Sequence, residues 1–99
     1  MIDEKRILFA LGLAQKAGKL ASGDFAVKSA LKGRKVKLLL LAHDAAENSK
    51  KDIYYLAELN GVKVVESLTR EQLGMAIGKA KRTAVAVLDV NFAGMMTKE

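Results

Sequence analysis

Two short, almost purely apolar runs constrain this chain more than any other feature. Residues 38–42 read Leu-Leu-Leu-Leu-Ala and residues 84–88 read Ala-Val-Ala-Val-Leu. Neither shows the alternation of a half-solvated strand, and each is far shorter than the ~20 residues of a membrane span. Their length favours buried central strands, over residues 36–42 and 83–88. Whatever else the chain forms must cover them.

The segments between carry helical spacing. Residues 4–16 place Ile7, Leu8, Leu11 and Ala14 on one stripe, with Asp3 and Glu4 suited to the N-terminus and Gly18 to a left-handed exit. Residues 19–21 read as a short edge strand. Ser22 then caps a second helix that turns Val27, Ala30 and Leu31 inward, sets Asp24, Lys28 and Lys32 along another face, and ends at Gly33. A loop at residues 43–47 follows the first apolar run. Asn48 or Ser49 opens a third helix with Ile53, Leu56, Ala57 and Asn60 on one side, stopped by Asn60-Gly61. Adjacent helical positions lie about 100° apart, so one of Tyr54 and Tyr55 is expected in the core. Residues 62–65 form a short strand. Thr69-Arg70-Glu71-Gln72 has the spacing of a capping box, opening a helix with Leu73, Ala76 and Ile77 inward. Residues 90–96 make a last short helix. This alternation is that of an α/β layer fold in one domain, residues 1–99.

Charge is distributed unevenly. Residues 16–37 hold seven cations (Lys16, Lys19, Lys28, Lys32, Arg34, Lys35 and Lys37) and one acid, Asp24, a net of +6 that equals the net charge of the whole chain. An excess so concentrated points to a polyanionic partner. The bland alternative is a solvated basic face that keeps the protein dissolved. A helix entrance supplies the mechanism for the other reading: free backbone N–H groups and the positive end of a dipole, ready for phosphate or carbonyl oxygens. Gly23 permits close approach, Lys28 can donate to guanine O6 and N7, and Lys32 or Lys35 can hold phosphates.

Enzymatic constellations are missing. With no cysteine, disulfides and thiolate metal sites are excluded. His43 is the single histidine, and a zinc site would need carboxylates that the sequence does not group around it. Gly12 and Gly18-Lys19 miss the phosphate-loop spacing, with Leu20 where a magnesium-binding hydroxyl belongs. Asp44, Ala46 and Asn48 fail the calcium-loop pattern at its third position. No Gly-x-Ser-x-Gly elbow exists. No apolar stretch after the charged residues 1–6 resembles a signal peptide, so a cytoplasmic location is expected.

Ser22-Gly23-Asp24-Phe25-x-x-Lys28, then Lys32-Gly33, the segment from Lys37 through Ala42-His43-Asp44-Ala45, and Thr69-Arg70-x-x-Leu73-Gly74-x-Ala76-Ile77-Gly78 carry a resemblance. From about Arg6 to Leu88 the chain resembles the kink-turn-binding ribosomal protein family of the L-seven-Ae type, and within it the small bacterial YlxQ-like branch. The resemblance implies a three-layer α-β-α sandwich around a small mixed sheet, binding RNA at a sharp bend flanked by sheared G·A pairs. The family reads that bend with Gly-x-Asn-Glu-x-x-Lys at the start of the second helix. Here Ser22 stands for the Gly, Asp24 for the Asn and Phe25 for the Glu, and Lys28 is kept. The resemblance also implies a contact from Ser67, Leu68 and Thr69, and the segment Leu68–Arg70 is expected to close on the RNA loop. His43 replaces the family's usual Glu.

These departures change the chemistry. Ionised Asp24 only accepts, for instance from guanine N1 or N2, whereas Asn also donates. Phe25 forms no side-chain hydrogen bond, yet stacking on a base is worth roughly 1–3 kcal/mol. The expected function is a non-enzymatic RNA-binding protein acting on structured ribosomal or messenger RNA, without cofactor, metal or membrane. Association with the ribosome is a further expectation. The rivals are a protein-interaction adaptor on the same fold and, on the strength of His43 and Asp44 alone, a small-ligand enzyme.

Overall fold

In the computed structural model, which describes residues 3–98, the two apolar runs become the centre of one four-stranded sheet. Strand β1 is Leu20–Ser22, β2 is Leu38–Leu41, β3 is Val64–Glu66 and β4 is Ala84–Val87, in the spatial order β1-β4-β2-β3. β4 pairs antiparallel with both β1 and β2, while β2 and β3 are parallel. The sheet is therefore mixed. Every residue of β2 and β4 is buried, because helices cover both faces. Full burial of each leucine or valine there contributes about 1.5–3 kcal/mol relative to exposure.

Helices α1 (Glu4–Lys16), α4 (Arg70–Ala76) and α5 (Val90–Thr97) pack together on one face of the sheet. Helices α2 (Asp24–Lys32) and α3 (Glu47–Leu59) cover the other. This is a three-layer sandwich. Its core takes Ile7, Leu11 and Ala14 from α1, Val27 and Leu31 from α2, Ile53 and Ala57 from α3, and Leu73 from α4, with no buried polar side chain among the described residues. Local signals set several boundaries. Asp3 accepts from the Lys5 amide to cap α1, and Gly18 (φ 69°) and Gly61 (φ 65°) provide left-handed exits. The capping box of α4 is present in full, with Thr69 and Gln72 bonding each other's amides.

Three expectations need correction. β1 begins at Leu20, so Ser22 is its last residue, and the cap position of α2 falls to Gly23, which offers no side-chain hydrogen bond. α3 starts at Glu47, ahead of Asn48 and Ser49, behind Ala46. Neither Tyr54 nor Tyr55 enters the core. Ile53 and Ala57, one turn apart, already fill the buried stripe of α3, which leaves the tyrosines 43% and 63% exposed.

The strand directions decide what shares an edge. β1, β2 and β3 all end where β4 begins, because Ser22 pairs with Val85, Leu41 with Ala84, and Leu41 with Glu66. The entrance of α2, the loop before β4, the turn after β2 and the start of α4 thus line one rim of the sandwich.

Candidate nucleic-acid interface

The rim is built around the break between β1 and α2. Gly23 sits at φ 92° and ψ 152°, a conformation essentially reserved for glycine. Space is not the reason, since nothing lies within 4 Å of where its Cβ would stand. That backbone aims the first turn of α2 outward. Asp24 pairs with Lys28 across 3.3 Å on the outer face of the helix, and both side chains reach solvent. Phe25 is 85% exposed, an unusual position for a large aromatic ring on a surface. Asp24, Phe25, Lys28, Ser29 and Lys32 surround a shallow depression of about 290 Å³.

Facing this entrance is the loop at residues 77–83, which the sequence motifs do not place in the site. Gly78 (φ 70°) reverses the chain after α4, and Gly74 leaves room for the Ala80 carbonyl to lie against the helix. The Lys79 amide donates to the Gly74 carbonyl at 2.8 Å, and the Arg82 amide to the Arg70 carbonyl at 3.1 Å. The Arg82 guanidinium then spans the gap: Nη1 donates to the carbonyls of Ala80 and Lys81, and Nε reaches Ser22 Oγ at 3.4 Å. A groove of about 200 Å³ runs between, lined by Gly23, Asp24, Val27 and Lys28 on one side and by Lys81, Arg82 and Thr83 on the other, with Asp52 of α3 also at its wall. The overlooked signal was the cluster Lys79, Lys81 and Arg82 directly behind Gly78.

The predicted contact at residues 67–70 looks different in three dimensions. Ser67 Oγ donates to Glu4 Oε2 at 2.9 Å. Leu68 is 2% exposed, so its side chain belongs to the core, and its carbonyl accepts from the His43 amide. Thr69 is engaged in the capping box. Arg70 alone keeps an exposed cationic head. Its amide donates to Asp44 Oδ1 at 2.8 Å, and its Nε lies 3.7 Å from the same oxygen. That amide bond is the main reason the Asp44 carboxyl is held below its ordinary value.

Lys32, one turn beyond Lys28, remains on the exposed face of α2. Lys35 does not belong to this rim. It follows the far end of α2, about 12 Å from Asp24 along a helix rising 1.5 Å per residue, with its amide bonded to the Ala30 carbonyl.

Several acids of the rim are matched. Asp24 pairs with Lys28 and Asp44 with Arg70. Glu66 accepts from Tyr54 Oη at 2.9 Å and from Lys50 Nζ at 3.1 Å, contacts that lower its pKa in that order of importance. Burial, and then the same Glu66, raises the Tyr54 phenol. His43 is exposed in the turn after β2. Lys81 and Arg82 have no carboxylate partner among the described residues, which leaves the groove's loop side positive.

Fold and rim together define a small three-layer α/β domain that presents a glycine-opened helix entrance beside a basic loop. The chain belongs to the ribosomal protein L7Ae/L30e/S12e/Gadd45 family, whose model matches residues 5–96. It is 36% identical over 86 residues to the RNA-binding protein YlxQ of Bacillus subtilis (strain 168), covering 87% of this chain and 86% of that protein. It is 29% identical over 97 residues to the RNA-binding protein YlxQ of Enterococcus faecium, covering 98% and 92% respectively. Among solved structures it is similar to a protein with unknown function from Bacillus halodurans, with a TM-score of 0.85, 31% identity, and coverage of 93% of this chain and 97% of that one.

Proposed function

We propose that this chain is a non-enzymatic RNA-binding protein whose rim grips a bent, kink-turn-like segment of ribosomal or messenger RNA. One observation carries the reading. Ser22 and Arg82, 60 residues apart in sequence, meet at 3.4 Å, so the α2 entrance and the basic loop form one surface around a groove. The names of the two relatives, both RNA-binding proteins, support the same partner.

Each part has a role that its chemistry allows. The first amides of α2 are free, because the earliest backbone bond into the helix is Val27 N–H to the Gly23 carbonyl. They offer donors to phosphate or base oxygens. Asp24 accepts from a guanine Watson–Crick edge, and Lys28 donates to O6 and N7 once their exposed mutual pair opens. Phe25 gives a splayed base a face to stack on. Lys81, Arg82 and Arg70 hold phosphates on either side of the bend. Ser67 and Thr69 serve by shaping the neighbouring turn.

The adaptor alternative draws on α1, where Phe9 and Leu13, one turn apart, are 65% and 38% exposed. Titration of a labelled kink-turn RNA and an unbent duplex at two salt concentrations separates the readings. Preference for the bend that persists at the higher salt supports the RNA reading, and equal weak binding to both removes it.

A further inference from the structure

Most of the cations that the sequence places near α2 gather at the opposite edge of the sheet. β1, β2 and β3 run the same way, and each is entered from a lysine: Lys19 precedes Leu20, Lys37 precedes Leu38, and Lys63 precedes Val64. Backbone bonds anchor all three. The Lys19 carbonyl accepts from the Leu88 amide at 2.9 Å, the Lys37 amide donates to the Val87 carbonyl at 2.8 Å, and the Lys63 carbonyl accepts from the Leu39 amide at 3.0 Å. The last turn of α1 brings Lys16 to the same edge, and the exit of α2 brings Arg34 and Lys35. All six are exposed and none is ion-paired among the described residues. With strands about 4.8 Å apart, Lys19 and Lys63 stand roughly 14 Å from each other across the β1-β4-β2-β3 order.

Arg34 adds a separate observation. It sits at φ 57°, where a glycine or asparagine would be more comfortable, so this turn carries a cation at a conformational cost. The acids of this edge are Asp89 and Glu58. Asp89 Oδ1 is occupied by the amides of Asn91 and Phe92, and Glu58 stands in the last turn of α3.

We propose that this far edge is a second binding site, for the phosphate backbone of duplex RNA, so that the protein holds two RNA segments at its opposite ends. The proposal builds on the RNA reading of the rim but uses none of its residues. A row of ammonium groups suits phosphates read as charge alone. A protein partner would require an apolar centre. The exposed apolar side chains at the neighbouring helix ends, Leu13 of α1 and Val90 of α5 on one face of the sheet and Leu59 of α3 on the other, flank the strand entries on separate layers.

The test uses the full chain, a short-stemmed kink-turn RNA and a plain RNA duplex, each carrying a different dye, measured at low and physiological salt. The wild type is expected to bring the two dyes together. The triple variant Lys19→Gln, Lys37→Gln, Lys63→Gln should lose about tenfold or more in duplex affinity and lower the salt slope by about 0.9 per phosphate contact removed. Its kink-turn affinity should stay within twofold, and the matching triple Lys→Arg variant should restore duplex binding. The pair Lys28→Ala, Arg82→Ala should do the reverse. Unchanged duplex affinity in the Gln variant overturns the proposal, as does equal loss of both RNAs or stronger capture of polyglutamate than of duplex. If no preference for the bend exists at all, the rim reading fails while the duplex measurement still judges the far edge.

Discussion

Gly74 lies directly beneath the carbonyl of Ala80, and a Cβ at position 74 would overlap that carbonyl. The contact lets the loop behind α4 fold back along its own helix, where the Lys79 amide reaches the Gly74 carbonyl and the Arg82 amide reaches that of Arg70. The Leu73-Gly74-x-Ala76-x-Gly78 pattern is therefore a positioning device for Lys81 and Arg82. It shapes the proposed RNA surface from behind.

Gly74→Ala tests that relationship. The clash is with backbone, which gives way less readily than a side chain, so the expected cost is about 1–3 kcal/mol of overpacking. For a domain of this size that corresponds to roughly 4–8 °C in Tm per kcal/mol. Affinity for bent RNA should fall as well, because the loop moves away from Ser22. An unchanged Tm in a thermal melt would show that the loop can step aside freely.

Gly23 and Gly18 should respond differently to substitution. Gly23→Ala meets no steric obstacle but forces a side chain into a glycine-only region, at a cost of about 1–3 kcal/mol. Gly18 is at φ 69°, an ordinary left-handed exit that asparagine tolerates, so Gly18→Asn should cost far less. Urea denaturation of the two variants side by side gives the comparison. Equal losses would mean that the α2 entrance is not specially shaped.

Lys28→Ala and Arg82→Ala should each weaken binding of a bent RNA about tenfold, equivalent to about 1.4 kcal/mol. Lys35→Ala should leave that binding nearly unchanged, because Lys35 stands beyond the other end of α2. Fluorescence anisotropy with one short RNA measures all three. A Lys35 effect as large as that of Lys28 would contradict the separation of the two edges.

Acid should loosen the turn after β2. Asp44 and Glu66 have folded pKa values below their ordinary 3.8 and 4.5, so each stabilises the fold above that ordinary value. The contribution disappears as pH falls through the lower folded pKa. Urea midpoints measured from pH 6 down to pH 3 should therefore decline. The decline should be shallower in Asp44→Asn, which cannot gain a proton there, and in Glu66→Gln. Parallel curves for wild type and variants would assign the acid sensitivity to other groups.

Much of the architecture was legible from local spacing. The stripes of α1 to α3, the capping box at Thr69 and Gln72, the stop at Asn60-Gly61 and the two buried runs all follow from interactions within a few residues. Local spacing misplaces Tyr54 and Tyr55, because the width of a buried stripe depends on what it packs against. Nothing local marks Leu68 as a core residue, and its burial becomes visible only once β3 and α4 are docked. Ser22 looked like a cap, but pairing with Val85 draws it into β1.

The chain's own residues determined the kinds of elements and their order, since apolar period, caps and glycines act over one or two turns. They also determined that a positive surface exists. Which cations stand together was decided by tertiary structure alone. Placing β4 between β1 and β2 brings Arg82 to Ser22, and the shared direction of β1, β2 and β3 gathers Lys19, Lys37 and Lys63 at the far edge. Strand order is a long-range choice made by burying both faces of the sheet at once, and no local stretch of sequence contains it.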